Sequence, residues 1–352
     1  MIYLFGLLIL LLLNLVIKNN RKVFLFLSAF LIILIMSLRG SNVGTDSETY
    51  LHLFDLASNG YKTLLDSKAP LFVAVLKVHS WLFGTGESSY FFITSLLIIV
   101  PLWWAIYLSG VPEKKAILVY YLLFFQSSLN ETRTYISISL VILSYVLSRQ
   151  HTKKNSFISL FILFIAVFIH KIAVIGIPIL ALSFMSLGKM NKRKIIMVFI
   201  TCGCLFLNVF VNFFSGYFSV YANTLASVKD TVGASAYIFQ ILMVITLIQS
   251  FCIIRKRKDT LVVIKKDDYD NMVIVLFSEV MIFIAGGNTW YIQRILKYLE
   301  IFVIFLFPIL EKISNKYRQL YCCAFYIIAI FLFIYGIIRN LNGVMPYTFF
   351  WQ

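Results

Sequence analysis

The sequence predicts an all-α polytopic membrane protein of about 12 transmembrane helices, with a long external loop at 39–89 carrying one or two flat juxtamembrane helices. Three observations predict it. Hydrophobic residues make up 61% of the chain and charged residues 13%, about half the charged share of a soluble domain, and the mean hydropathy is +0.91. Apolar runs long enough to cross a bilayer, or nearly so, recur along the whole length and leave no room for a sizeable soluble domain. Basic residues gather in alternate loops. An outer-membrane barrel would show segments of roughly ten alternating residues instead.

The first span, near 2–17, lacks the basic start and small-residue cleavage site of a signal peptide, and a second span at 23–38 follows at once, so it reads as a true helix. Further spans are expected near 90–109, 116–130, 134–148, 156–170 and 172–187, then 195–214, 236–254, 271–286, 292–310 and 319–338. The loops holding Lys18–Lys22, Lys114–Lys115, Arg149–Lys154, Lys189–Lys194, 255–270 and Lys312–Arg318 are the basic ones, and the positive-inside rule makes them cytoplasmic. The net charge of +16 is therefore an orientation signal facing anionic lipid, and no nucleic-acid partner is needed to explain it. The reading is one integral membrane domain over 1–352, with an external loop at 39–89 and a cytoplasmic basic loop at 255–270. Cys202, Cys204, Cys252, Cys322 and Cys323 all fall within spans and form no C-x-x-C, so neither a disulfide nor a thiolate metal site is implied.

Segment 69–84, "APLFVAVLKVHSWLFG", would flip every later basic loop to the outside if it spanned, and it carries Lys77 and His79 in its middle. A helix lying flat on the bilayer fits better, with Phe72, Leu76 and Phe83 down and Lys77 up. Residues 39–89 then form one external loop, of the length that usually serves a function. It begins with "LRGSNVGTDSETY", where Gly40 and Gly44 free the backbone to turn after Arg39. Asp46 reads two ways: as the N-cap of a short helix at 47–57, or as a carboxylate held at the membrane surface to act as a general base or orient a sugar.

Charged residues in hydrocarbon are costly and normally face a cavity or a partner. Here Arg39, Asp46, Glu48, Asn130, Arg133, His170, Lys171, Arg294 and Lys297 are expected at the external ends of their helices, with Glu279 and Glu300 deeper. On a helix from Thr289 to Phe307, Tyr291, Arg294, Lys297 and Tyr298 share one face, a pattern suited to a phosphate or diphosphate bearing sugars. The turns "QSSLNETRTY" and "FIHKIAV" bring Asn130 with Arg133 and His170 with Lys171 to the same side. Blander readings stand beside these. Arg39, Lys62, Lys68 and Lys171 fit snorkelling anchors, Glu300 fits a counter-ion for Lys297, Glu279 fits a paired or protonated carboxyl, and His170 fits a hydrogen-bonded interface histidine. Trp290 and Trp351 suit either an interfacial belt or stacking on sugar rings. No ligand cluster joins Asp46 and Glu48 and no glycine-rich phosphate loop is seen, so neither a metal nor a cofactor is expected.

The opening stretch resembles the R-G-x-x-x-G-x-D-x-x-x-Y element of the EpsG/Wzy-type bacterial polysaccharide polymerases, through Arg39, Gly40, Gly44, Asp46 and Tyr50. "LNETRTYISISLVILSYVLSRQ" at 129–150, "FIHKIAVIGIPIL" at 168–180 and "VMPYTFFW" at 344–351 resemble further elements of that family in order, with Glu131 and Lys171-Ile172 as departures. The resemblance implies an O-antigen, capsule or exopolysaccharide polymerase of the bacterial cytoplasmic membrane, similar to the GT-C membrane glycosyltransferases. Such an enzyme transfers a growing glycan from undecaprenyl diphosphate to a hydroxyl of another lipid-linked repeat on the outer face, without nucleotide or metal. It would use Asp46, His170 and Arg133 in catalysis. Arg39, Asn130, Lys171, Arg294, Lys297, Tyr291, Tyr298, Glu48 and Tyr50 would bind diphosphate and sugar. Its partners would be the lipid-linked oligosaccharide, the bilayer and a chain-length regulator protein. A flippase or transporter of the same lipid, or a glycan ligase or acyltransferase, are the alternatives; the crowding of charge on one face and the lack of internal repeats favour the polymerase.

Overall fold

The computed structural model of the protein describes residues 1–61, 69–185, 190–205, 233–256, 266–286, 290–312 and 318–352. Among them every regular element is helical, and an antiparallel bridge between Arg39 and Phe349 stands apart from any strand. Part of the basic loop at 255–270 lies outside the described residues, as do Lys62, Lys68, Lys189, Lys316, residues 206–214 of one expected span and the side chains of Trp290 and Tyr291. The chain packs as two units, Met1–Leu180 with Ala329–Gln352, and Ala181–Ile328.

In the first unit the helices are α1 (Ile2–Val16), α2 (Arg21–Ser37), α3 (Ser47–Ser58), α4 (Pro70–Phe83), α5 (Glu87–Ser109), α6 (Glu113–Leu123), α7 (Phe125–Asn130), α8 (Thr132–Ser148) and α9 (Lys153–Ile169). A 3₁₀ turn at Lys171–Ile175 leads into α10 (Gly176–Phe184). Asn20 and Thr152 cap α2 and α9, each accepting a bond from a backbone N–H three residues on. Pro70 opens α4 at a position where no backbone donor is needed. Then follow α11 (Met190–Leu205), α12 (Ala234–Lys256), α13 (Lys266–Gly286), α14 (Trp290–Glu300), α15 (Val303–Lys312) and α16 (Arg318–Arg339). By length and composition α5, α16 and most of α12 and α13 can cross a membrane, and shorter apolar helices accompany them, so this is a multi-pass helical membrane protein.

The centre of the first unit is α8, buried on nearly every side and packed between α5 and α9. Its serines make this possible, because small side chains let helix backbones approach. The Ser144 hydroxyl donates to the Ser159 carbonyl on α9 at 2.6 Å. Gly176 at the head of α10 follows the same logic: a Cβ there would lie 2.5 Å from Leu163. Antiparallel to α2, α5 is fastened by Trp103 Nε1 donating to Ser28 at 3.0 Å and by a Ser37–Ser95 hydroxyl bond of 3.1 Å.

The two ends of α2 differ in chemistry. At its start Arg21 pairs with Glu113 at 3.1 Å and donates to the Ile106 and Tyr107 carbonyls. Lys114 joins it there, donating to the carbonyls of Asn14, at 2.8 Å, and Ile17. Arg39 is eighteen residues further along, about 27 Å at the helical rise and close to the thickness of a bilayer core.

Three helices differ from expectation. The span at 116–130 divides at Phe124 into α6 and α7, and the helix expected over 289–307 divides at Ile301–Phe302 into α14 and α15. The span at 172–187 begins as a 3₁₀ turn, since Pro178 lacks a backbone donor and suits the first turn of α10 rather than a helix interior. Short helix α4 packs on α3, α5 and α9. Its Phe72 and Leu76 are buried, with Phe72 meeting the edge of Tyr50 (6.3 Å, 77°), so they face protein rather than bilayer. Phe83, the last residue of the helix, is exposed.

The second unit is organised around α13, which packs on α11, α12 and α14. Buried Arg193 pairs with buried Asp270 at 3.1 Å, and the Gln240 amide donates to Glu279 at 2.6 Å. Each charge is thereby met by a polar partner out of water.

Candidate active site

At the end of α2 the chain leaves the helix at Leu38 and is clasped by the C-terminal segment. Gly40 N–H donates to Thr348 (2.9 Å), Phe350 N–H to Leu38 (3.1 Å) and Gly44 N–H to Gly343 (2.8 Å). The Tyr3 hydroxyl reaches the Val344 carbonyl at 2.8 Å, and the Tyr347 hydroxyl reaches that of Ile35 at 2.8 Å. The last dozen residues therefore act as a wall behind "LRGSNVG". Gly44 is at φ +100°, and a Cβ there would stand 2.8 Å from the Ser47 hydroxyl and 3.3 Å from both Asn130 Cα and the Leu129 carbonyl. Only glycine adopts that turn and admits α7 so closely.

With the turn held, Arg39 points inward and is 1% exposed. Its Nη1 donates to the Leu129 carbonyl at 2.5 Å and its guanidinium lies 4.3 Å over the Phe91 ring. Burial pulls its pKa down to about 10, against the opposing effect of the Tyr90, Tyr3 and Tyr347 phenols, so it remains a cation at neutral pH. No carboxylate pairs with it among the described residues, and its Nε is buried without a hydrogen bond. Arg133, in the first turn of α8, also has Nε and Nη1 buried without a hydrogen bond. An uncompensated buried charge is expensive. Arg39 is such a charge, and half-buried Arg133, in the same unit, holds two guanidinium nitrogens out of water.

Tyr90, which the sequence does not mark as a site residue, lies near both. It is fully buried at the start of α5, its hydroxyl has no partner, and Arg39, Arg133 and Tyr50 all lie within electrostatic reach. A tyrosine in the first turn of a span reads as interfacial belt; only its nearness to two guanidiniums marks it.

Asp46 sits at the N-cap position of α3, yet its side chain makes no capping bond. The loop is pinned instead by Asn130, whose Oδ1 accepts from both the Thr45 hydroxyl and the Asp46 N–H, each at 2.9 Å. Thus Arg39, Asp46 and Asn130 are tied to one another through α7. Tyr50 is half-buried on α3 and Glu48 is exposed in its first turn. His170 is buried where α9 gives way to the 3₁₀ turn, which packs on α8 and α9, while Lys171 is exposed. Arg294, Lys297 and Tyr298 belong to α14 of the second unit, the first two half-buried and Tyr298 fully buried. Among the described residues no three His, Cys, Asp or Glu side chains are grouped to hold a metal ion.

Fold and cluster together define a helical multi-pass membrane protein with a buried cationic site at one end of its first unit. Residues 22–349 match the EpsG family, and the chain belongs to it. That membership points to polysaccharide biosynthesis, as the resemblance implied. Neither the curated proteins nor the solved structures contain a match.

Proposed function

We propose that the protein is a polysaccharide polymerase acting on lipid-linked repeat units at the outer face of the bacterial cytoplasmic membrane. The observation that carries this reading is the buried Arg39 guanidinium and the half-buried Arg133, both within electrostatic reach of the unpartnered Tyr90 hydroxyl, with Arg39 joined through α7 to the loop that bears Asp46. Sidedness is supported by α2, whose Arg39 end is about 27 Å from the basic Arg21–Lys114 end that the positive-inside rule assigns to the cytoplasm. About twelve crossings and an external 39–89 loop belong to the same proposal, with α3 and α4 as its surface helices.

In the reaction a sugar hydroxyl of one lipid-linked repeat attacks the anomeric carbon of another glycan. A carbon–oxygen bond forms, the bond from that carbon to the diphosphate oxygen breaks, and undecaprenyl diphosphate leaves with the electron pair. Asp46 receives the hydroxyl proton, with His170 as the second candidate base. Arg39, Arg133 and the Tyr90 O–H would stabilise the charge that grows on the leaving diphosphate. Asn130 holds the Asp46 loop in register with them.

The test is a cell-free assay with purified protein and lipid-linked repeats. A polymerase yields a ladder of chain lengths, whereas a flippase or a ligase does not. Arg133→Ala and Asp46→Ala should abolish the ladder while the protein remains inserted and abundant; a full ladder from both variants overturns the assignment.

A further inference from the structure

We propose that Tyr3 and Tyr347 are positioning residues, whose hydroxyls brace the turn that sets Arg39 to receive an anion. The inference rests on the proposed function and adds what fixes the pose of its buried cation. Arg39 has three phenols within electrostatic reach, those of Tyr90, Tyr3 and Tyr347. The Tyr90 hydroxyl is unpartnered and belongs to the candidate site. The other two are committed to backbone carbonyls, and those carbonyls lie in segments that meet at Arg39.

Tyr347 acts on the helix that Arg39 leaves. Its hydroxyl donates to the Ile35 carbonyl at 2.8 Å. Ile35 is four residues before Arg39, so this is the carbonyl that the Arg39 N–H would take if α2 ran on. With a phenol bonded there instead, α2 ends at Ser37 with that carbonyl satisfied, and the chain turns out at Leu38. Two residues after Tyr347, Phe349 forms the bridge to Arg39. One tyrosine therefore ties the helix end before Arg39 to the segment beside it.

Tyr3 works from the other side. It is fully buried in the first turn of α1, its hydroxyl donates to the Val344 carbonyl at 2.8 Å, and its own carbonyl accepts from the Tyr121 hydroxyl of α6 at 2.8 Å. A Cβ at Gly6, one turn on, would run into that Tyr121 hydroxyl, so glycine is what lets α1 lie so close to α6. The Tyr3 ring meets those of Tyr347 (5.6 Å, 85°) and Phe125 (6.0 Å, 73°) edge-on. Phe125 opens α7, whose Leu129 carbonyl takes the Arg39 guanidinium. Tyr3 thus links the C-terminal segment, which holds the Arg39 backbone, to α7, which holds its side chain. Neither tyrosine has to touch the substrate, because each acts through Arg39.

The test is a double-mutant cycle on full-length protein in detergent, read as the Kd for undecaprenyl diphosphate. Tyr347→Phe and Tyr3→Phe keep the rings and delete one hydroxyl each. In the native background each should weaken binding about two- to tenfold, the worth of one hydrogen bond. In an Arg39→Lys background, which lacks the planar guanidinium fork, neither should weaken it further. Weakening by the same factor in both backgrounds overturns the proposal and leaves the tyrosines as packing groups, as does native affinity in both single variants. Tyr347 is half-buried, and its variant decides the matter if Tyr3→Phe lowers the thermal midpoint. Binding that obeys the cycle, with no polymer ladder from the native protein, overturns the polymerase reading and leaves the positioning role standing. A ladder with equal losses in both backgrounds does the reverse.

Discussion

Replacing Asn130 by alanine removes the side chain whose amide oxygen ties the Asp46 loop to α7. Its Oδ1 accepts two bonds of 2.9 Å, from the Thr45 hydroxyl and the Asp46 N–H. Each is worth about 0.5–1.5 kcal/mol net, so the ordered position of Asp46 loses about 1–3 kcal/mol. At about 1.4 kcal/mol per factor of ten, the rate falls roughly five- to hundredfold if Asp46 must be in place for transfer. Thr45→Val deletes one bond and should cost about half as much in free energy. Because both bonds end on one oxygen, the double variant should be no slower than Asn130→Ala alone. The assay is the initial rate of ladder formation from purified lipid-linked repeats, normalised to monodisperse protein. A native rate for Asn130→Ala, or fully additive losses in the double variant, would refute the reasoning.

Tyr90→Phe deletes a buried hydroxyl that makes no hydrogen bond, so thermal stability in detergent should stay within about 0.5 kcal/mol of the parent while polymerisation drops; a large fall in stability would show a structural role instead. Gly44→Ala forces a Cβ to 2.8 Å from the Ser47 hydroxyl at φ +100° and should cost about 1–3 kcal/mol, read as a lowered unfolding midpoint. Burial holds the His79 ring below its ordinary pKa of 6.5, against the raising effect of its bond to Ser89. The unfolded chain therefore takes up a proton before the folded one, and stability should decline as pH falls below about 6.5, an effect that His79→Gln should flatten in thermal melts across that range.

Much of the fold was legible because hydropathy is a one-dimensional property: a helix in lipid satisfies its own backbone and shows itself as an apolar run. The same holds for "LRGSNVGTDSETY" and "LNETRTY", whose charges are conspicuous against such a background. What escaped were features set by residues far apart in sequence. Tyr90 draws its meaning from Arg39, in the turn after α2, and Arg133, on α8. The buried side of α4 depended on whether protein or lipid lay beneath Phe72 and Leu76, and α3, α5 and α9 supplied protein. The interruption at Phe124 lies inside a continuous apolar run, where composition marks no boundary, and the helix expected over 289–307 divides just after Glu300, where such a run begins.

By itself the sequence determined that this chain lives in a membrane as helices, and that arginine, aspartate and asparagine cluster where helices end. The tertiary structure decided which of those charges lack counter-ions. It folded residues 340–352 back against Arg39–Gly44, drew Asn130 onto the Asp46 loop, and left Arg39 in a buried shell with no carboxylate among the described residues. A buried charge acquires its cost, and so its capacity to hold an anion, from three-dimensional neighbours that residue order does not list.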